Sequence, residues 1–198
     1  DNGVIVLLNQ KKEISQQASI FDLRTYGLPG LFESRRENMA KAYVRYFDRY
    51  FFNTAVADGT EVILTETTVT KQLDEIILEL EGVENDNVDG VDREDMVMFV
   101  KPSIYTGLWQ SNDLLTNPTG DYMKTFHGVD VVSNHRQTKD VIIMMKGAIA
   151  LPIVNMAVQF GTLELSANDY LYMPTMFGCK AVAPDLVFYA NTGELPSA

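Results

Sequence analysis

The chain has 198 residues, of which 46% are hydrophobic and 22% charged, a composition typical of a folded protein that can bury a core. Its 27 acids and 16 bases give a net charge of −11, which argues against general binding of nucleic acid backbones, because such binding needs clustered Lys and Arg. The longest apolar run, residues 141–154, is interrupted by Lys146, Gly147 and Pro152, so we expect a soluble protein without a membrane span.

The first 32 residues predict two short strands followed by a turn. Residues 4–8 are a continuous apolar run, and residues 14–23 show the partial alternation of apolar and polar side chains that is typical of a strand. Residues 26–30 contain two glycines and a proline, which indicates a turn before the next element.

A long helix is predicted over residues 34–57. Ser34 and Glu37 have the spacing of a capping box, in which each side chain bonds a free backbone N–H at the helix start. Gly59 is expected to end the helix by taking the left-handed conformation. One face of the helix is aromatic and must be covered, and the other side is basic. The aromatic face consists of Met39, Tyr43, Tyr46, Phe47, Tyr50 and Phe51, and the basic side carries Arg35, Arg36, Lys41, Arg45 and Arg49.

A strand and a second helix are predicted next. Residues 61–68 are rich in β-branched side chains, which favours a strand. Residues 70–81 predict a helix that ends at Gly82. Its apolar side chains recur at the helical spacing i, i+3, i+4, i+7, namely Leu73, Ile76, Ile77 and Leu80.

Residues 84–95 form the most charged stretch of the chain. Asn85, Asn87, Asp89 and Gly90 align with the start of a calcium-binding loop, but Met96 then falls where the bidentate Glu is required. We therefore interpret the stretch as an acidic connecting loop, and a weak or partner-completed cation site is the alternative.

The second half of the chain predicts a series of short strands and one short helix. Residues 96–100 predict a buried strand, and Pro102 then favours the first turn of a helix over residues 103–109. Residues 112–120 predict a loop, and Asn168 with Asp169 a turn. The other predicted strands are residues 126–133, 141–145, 148–151, 162–165, 170–173, 178–182 and 186–189.

Four segments in this half resemble, in the same order, passages of the major capsid proteins of tailed double-stranded DNA bacteriophages, the Hong Kong 97-type fold. Residues 91–109 resemble the family's charged turn, apolar strand, proline and short helix. Residues 126–134 resemble its glycine and strand that ends in Ser-Asn. Residues 146–150 resemble its late alanine-containing strand, and residues 177–189 its aromatic-Gly pair, strand, proline and final strand.

The resemblance implies an α+β capsid-type fold. Residues 1–100 would form a peripheral domain, in which the helix at 34–57 is the long spine helix packed on a sheet, and residues 70–81 are the second helix of that domain. Residues 101–198 would form a mixed α/β axial domain, whose last strand is a candidate to return to the first domain. Only about 33 residues precede the predicted spine helix, fewer than the family's N-terminal arm and extended loop occupy, so we expect either a processed chain or a compact relative.

The function implied by this resemblance is that of a structural subunit that associates with its own copies into capsomers and an icosahedral virion shell around double-stranded DNA. The expected partners are copies of the chain, possible portal or decoration proteins, and packaged DNA without sequence-specific contacts. Synthesis is expected in the host cytoplasm. An encapsulin-like protein compartment and a soluble enzyme or ligand-binding domain are the alternatives.

The sequence predicts no catalytic, cofactor-binding or metal-binding residues. His127 and His135 are the only histidines and lack the spacing of a zinc site. Cys179 is the only cysteine, which excludes an internal disulfide and fits a reducing compartment. No nucleophile motif surrounds Cys179, and the apolar residues Ala181 and Val182 nearby predict a buried or half-buried thiol. We therefore expect no enzyme.

Overall fold

The structure is a computed structural model that describes residues 4–18, 20–86, 88–110, 115–116, 124–155, 159–163 and 168–192. The contacts within the chain divide it into two compact units. Unit 1 comprises residues 1–48 and 151–179, and unit 2 comprises residues 49–150 and 180–198. These boundaries do not fall at residue 100. The assignment of residues 1–100 to a peripheral domain and of residues 101–198 to an axial domain stays a prediction. The two units describe only how the residues of a single chain pack against one another.

Three α-helices and two single 3-10 turns are present among the described residues. The helices are α1 (Ile20–Asp58), α2 (Val69–Glu81) and α3 (Pro102–Gln110), and the 3-10 turns are Arg93–Asp95 and Pro184–Leu186. Helix α2 and helix α3 confirm the predictions for residues 70–81 and 103–109 to within one residue at each end.

The start of α1 corrects the predicted N-terminal boundary of the long helix. The helix begins at Ile20, so residues 26–30 are not a turn and Ser34 with Glu37 is not a capping box at a helix start. A proline inside a helix removes one hydrogen bond and normally costs about 3 kcal/mol, which is why the sequence predicts a break at Pro29. The low helix propensity of proline predicts the helix boundary poorly here, because the single missing N–H of Pro29 affects only one turn of a helix of 39 residues.

The described residues also form fifteen strands, most of them short. They are β1 (Gln10–Ala18), β2 (Thr60–Glu61), β3 (Glu84–Asn85), β4 (Val88–Asp89), β5 (Met96–Val100), β6 (Leu115–Thr116), β7 (Lys124–Phe126), β8 (Val129–Ser133), β9 (Val141–Met145), β10 (Ile149–Ala150), β11 (Ile153–Asn155), β12 (Gln159–Leu163), β13 (Asn168–Phe177), β14 (Lys180–Ala181) and β15 (Val187–Ala190).

Unit 1 contains a four-stranded antiparallel sheet built on β13. Strand β1 pairs along the whole of one side of β13, from Gln10 opposite Phe177 to Ala18 opposite Asp169. Strands β11 and β12 pair with its other side. Three predictions for this region are wrong, since residues 4–8 form no strand, residues 14–18 belong to β1 but residues 20–23 to α1, and Asn168 with Asp169 lies inside β13 rather than in a turn.

The aromatic face of α1 covers this sheet. Met39, Tyr43 and Phe47 are buried, whereas Tyr46 is half-buried. The ring of Phe47 lies 5.1 Å from that of Phe177 on β13, in the edge-to-face geometry that aromatic pairs favour. The hydroxyl of Tyr43 donates to the carbonyl oxygens of Lys12, at 3.2 Å, and Met173, so it bonds both strands of the β1–β13 pair.

Unit 2 contains a seven-stranded mixed sheet in the order β2-β15-β9-β5-β8-β7-β6. The central strands β5 and β9 confirm the predictions for residues 96–100 and 141–145, and Val141–Met144 are all buried. The predicted strand at 126–133 is instead two strands, because His127 and Gly128 form the turn between β7 and β8 with positive φ angles. Other predicted strands are shorter or shifted. Of the predicted strand at 61–68, only Glu61 lies in a strand, β2. Of the predicted strand at 178–182, only Lys180 and Ala181 lie in a strand, β14.

Helix α2 packs on β9 and β15 through its predicted apolar face. Leu73, Ile76, Ile77 and Leu80 are completely buried. Gly82 ends the helix as predicted, where its N–H donates to the Leu78 carbonyl at 3.0 Å and the Val83 N–H donates to the Leu80 carbonyl at 3.4 Å. Part of the predicted 112–120 loop is the two-residue strand β6, and its other residues lie outside the described part of the chain.

Gly59 ends α1 for a reason other than the predicted one. Its φ angle is not among the positive values, which among the described glycines occur at Gly90, Gly128 and Gly147. A Cβ atom at Gly59 would instead collide with the carbonyl oxygen of Ala55 and lie 2.8 Å from that of Val187. The glycine is therefore required by close backbone packing.

Replacing Phe47 by Ala should lower the free energy of unfolding by about 3–5 kcal/mol, because truncating a buried aromatic removes its apolar contacts and leaves a cavity. Chemical denaturation measures the change. Val44→Ala is the control on the same helix, since 54% of Val44 is exposed, and it should change stability by less than about 0.5 kcal/mol. A loss below about 1 kcal/mol for Phe47→Ala would contradict the placement of its ring.

Gly59→Ala should destabilise the protein by about 1–3 kcal/mol, because the added methyl group meets backbone oxygens that cannot rotate away. Gly82→Ala is the matched control, since the nearest atom to its added carbon is 3.3 Å away, at the carbonyl of Leu78. Thermal unfolding of the two variants should show the larger decrease for Gly59→Ala, and equal decreases would refute the close-approach explanation.

Candidate assembly surfaces

The charge of the chain is concentrated in unit 2. Unit 1 contains eight acids and seven bases, a net charge of −1, whereas unit 2 contains 19 acids and nine bases, a net charge of −10. The sequence shows the total charge but not this division, because each unit consists of segments that are distant along the chain. The two units therefore present very different electrostatic surfaces to another molecule.

The acidic stretch at 84–95 forms part of the surface of unit 2. Strands β3 and β4 pair as a short antiparallel hairpin, and the Asn85 side-chain oxygen accepts the Val88 N–H at 2.8 Å. Asn87, one of the residues of the calcium-loop alignment, lies outside the described residues. Six carboxylates of the stretch are exposed and have no ion pair with another described residue. They are Glu84, Asp86, Asp89, Asp92, Glu94 and Asp95.

Arg93, the only base within 84–95, connects three parts of unit 2. Its guanidinium bonds the Glu81 carboxylate of α2, with the shortest contact 2.9 Å from Nη2 to Oε2, and Nη1 donates to the His127 carbonyl at 3.2 Å. The His127 ring in turn lies 2.6 Å from Asp74 of α2, between Nδ1 and Oδ1. The Arg93 cluster, made of these four residues, holds the β7–β8 turn against α2.

Two residues of the Arg93 cluster, His127 and Arg93, have structural roles. The hydrogen bond from Arg93 lowers the pKa of Glu81, and the same bond raises the pKa of Arg93. His127, a residue considered for a metal site, is engaged with Asp74. Arg93 is not among the residues predicted from the sequence to matter, although its position as the one base among six acids is a visible signal.

The loop before α2 is fixed by a second carboxylate. Glu75 accepts the Thr65 hydroxyl at 2.7 Å, the Thr65 N–H at 3.0 Å and the Glu66 N–H at 3.2 Å, and these bonds lower its pKa, the hydroxyl first. Gln72, which is buried, donates its side-chain N–H to the Glu66 carbonyl at 2.7 Å. The loop thus has a defined conformation, which leaves Ile63 with 85% of its surface exposed.

The side chains considered for catalysis or metal binding do not form such a site in the described structure. His135 is exposed, and Cys179 is half-buried as predicted. Within the ranges that the structure describes, no group of three or more His, Cys, Asp or Glu side chains is placed to hold a metal ion.

The described residues of unit 1 include exposed apolar side chains and a sheet edge that pairs with no other described strand. Residues 4–8 pass close to Gly178, where a side chain would collide with the Leu7 carbonyl, and Ile5 and Leu7 are 74% and 67% exposed. Strand β1 follows directly and is the edge of its sheet. Exposed apolar residues rimmed by polar ones are typical of contact surfaces between proteins. The helices in the described part of the chain include none that is long and apolar enough to cross a membrane.

Comparison with solved structures identifies the fold. A structure from Mycobacterium phage Che8 superposes with a TM-score of 0.74 over 94% of this chain and 72% of its own, at 18% identity. The mature capsid of bacteriophage PhiM1 matches with a TM-score of 0.63, over 98% of this chain and 73% of its own, at 13% identity. This is the Hong Kong 97-type capsid fold. The predicted fold class is confirmed.

The same capsid fold extends to particles other than phages. The SrpI encapsulin complex of Synechococcus elongatus matches with a TM-score of 0.65 over 95% of this chain and 75% of its own, at 7% identity. No protein-family model and no curated protein sequence matches the chain. The similarity therefore lies in the fold, and not in a recognisable sequence.

The Glu81–Arg93 pair should make stability depend on pH at the acidic end. Because the folded-state pKa of Glu81 is below its ordinary value of 4.5, the stabilisation is present above that value and is lost as the pH falls through the lowered pKa. Glu81→Gln should flatten this part of the curve of unfolding free energy against pH. Arg93→Gln should flatten it equally, since it removes the partner, and an unchanged curve in both variants would contradict the role of the pair.

Proposed function

We propose that the chain is a structural subunit of a viral icosahedral capsid, which associates with copies of itself into capsomers and a shell around double-stranded DNA. The observation that carries this proposal is the capsid fold, which extends over 94% of the chain. Solved structures with this fold include the PhiM1 mature capsid and the capsid of cyanophage P-SCSP1u. A shell subunit works through repeated symmetric contacts between copies and needs no catalytic residue.

The charge distribution is compatible with a shell that encloses DNA without binding its phosphates tightly. A surface that bound phosphates tightly would need clustered Lys and Arg, and unit 2 instead carries a net charge of −10. We therefore propose packaged DNA without sequence-specific contacts. Portal or decoration proteins as partners, a location in the virion and synthesis in the host cytoplasm belong to the same proposal.

An encapsulin-like compartment is the second candidate. The SrpI encapsulin complex and a virus-like particle of Pyrococcus furiosus match with TM-scores of 0.65 and 0.62, close to the values of several phage capsids. Such a shell would enclose a protein cargo in place of DNA. The contents of the particle, rather than its fold, distinguish the two candidates.

Electron microscopy of the purified protein tests the proposal directly. We expect closed shells or ring-shaped capsomers. Nuclease-protected DNA inside the shells would support the virion, whereas a co-purifying protein without DNA would support the encapsulin-like compartment. A monodisperse monomer under all conditions of salt and pH would contradict both.

Assembly should strengthen as salt is added. Subunits with a net charge of −11 repel one another, and salt at ~0.15 M reduces the range of that repulsion to about 8 Å while leaving short-range contacts intact. Light scattering across a salt series measures the effect, and modest acidification should act in the same direction by neutralising carboxylates. Particles that dissociate steadily as salt rises would show that ion pairs dominate instead, between the basic side of α1 and acidic loops such as residues 84–95.

A further inference from the structure

Among the described residues, strand β1 has one backbone edge without a pairing strand, and it lies in unit 1, whose net charge is −1. From this edge we infer that two copies of the chain associate through β1, with their β1 strands paired antiparallel about a two-fold axis at Ile14. The inference rests on the proposed self-association and specifies one of its contacts.

The first argument is the open edge itself. Within the described residues β1 pairs on one side only, with β13, along all nine of its residues. In an antiparallel pair, alternate N–H and C=O groups of an edge strand point away from the partner and are free to bond another strand. The Lys12 carbonyl accepts the Tyr43 hydroxyl, and no other backbone hydrogen bond joins β1 to described residues outside its sheet.

The second argument is electrostatic. Two copies that approach through unit 1 bring together surfaces with a net charge of −1 each, whereas approach through unit 2 brings together −10 and −10. Since repulsion grows with the product of the charges, contacts through unit 1 are the least opposed. A long free edge therefore lies on the unit that can best tolerate a second copy.

The third argument identifies the occupant and its register. In a symmetric antiparallel pair, one residue lies opposite its own copy at the axis, and like charges opposite each other are destabilising. An axis at Lys11 or Glu13 places identical charges face to face, and an axis at Lys12 does so at its centre and pairs only residues 10–14, although it also sets Lys11 opposite Glu13. An axis at Ile14, the middle residue of β1, uses the whole strand and places no two charges opposite each other. The facing pairs are then Ile14 with Ile14, Glu13 with Ser15, Lys12 with Gln16 and Lys11 with Gln17.

Disulfide trapping tests this register, and the chain is suited to it because Cys179 is its only cysteine. In a Cys179→Ser background, subunits that carry Glu13→Cys are mixed with differently tagged subunits that carry Ser15→Cys, and the mixture is oxidised under assembly conditions. Both positions are exposed. Residues directly opposite each other have Cβ atoms about 4.5–5.5 Å apart, within reach of a disulfide after small adjustments. We expect a crosslinked dimer that contains both tags, and Ile14→Cys alone should crosslink to itself.

The matched control is a mixture of Lys11→Cys with Ser15→Cys, whose positions are displaced by two residues in this register, about 7–8 Å apart at the nearest. It should give little crosslinked dimer. Equal crosslinking in both mixtures, or none in either, would overturn the inference. Shells in the microscope without β1 crosslinks would leave the capsid proposal standing and remove this contact, whereas crosslinked dimers without shells would support the contact and contradict the capsid.

Discussion

The pairing of β1 with β13 is the interaction on which unit 1 depends. It joins residues 10–18 to residues 169–177 in one continuous register, although the 102 residues 49–150, which belong to unit 2, lie between them in the chain. Closing so long a loop costs conformational entropy, although each doubling of loop length adds only about 0.6 kcal/mol. Backbone hydrogen bonds and the burial of Phe177 against α1 offset that cost. Phe177 is fully buried, and its ring meets those of Tyr46 and Phe47 at 5.7 Å and 5.1 Å.

The sequence predicts best those elements that are buried on a regular period. Helix α2 has four completely buried apolar side chains at helical spacing, and β5 and β9 are continuous apolar runs, so their predicted bounds are close to the observed ones. Strand β1 is different. Its sequence is mostly polar, because its alternate side chains are exposed and it pairs with a described strand on one edge only, and its strand conformation depends on β13, which is distant in the chain. The local alternation that predicts a strand over residues 14–23 therefore identifies only residues 14–18 of it.

The errors at α1 and β13 have the same origin. Pro29 predicts a break on local grounds, yet helix α1 continues through it. Asn168 and Asp169 favour a turn, yet both residues are paired in β13. In each case the surrounding element is long, with 39 and ten residues, so its other contacts outweigh a local preference of a few kcal/mol at most. The Arg93 cluster could be suspected from the sequence, but its partners Asp74 and His127 are 53 residues apart and only the fold brings them together.

The charged residues of β1 exclude most strands from pairing with its edge, and they also favour a second copy of β1 as the partner. Lys and Glu on an edge strand normally prevent pairing with other strands, because an unmatched charge opposite an apolar side chain loses solvation without gaining a partner. The three consecutive charges at residues 11–13 therefore exclude most strands from this edge. The same three charges meet only Ser and Gln when the partner is a second β1 centred on Ile14. Polar side chains of that kind keep the charges solvated and hydrogen-bonded, so an edge that rejects foreign strands still accepts its own copy in one register.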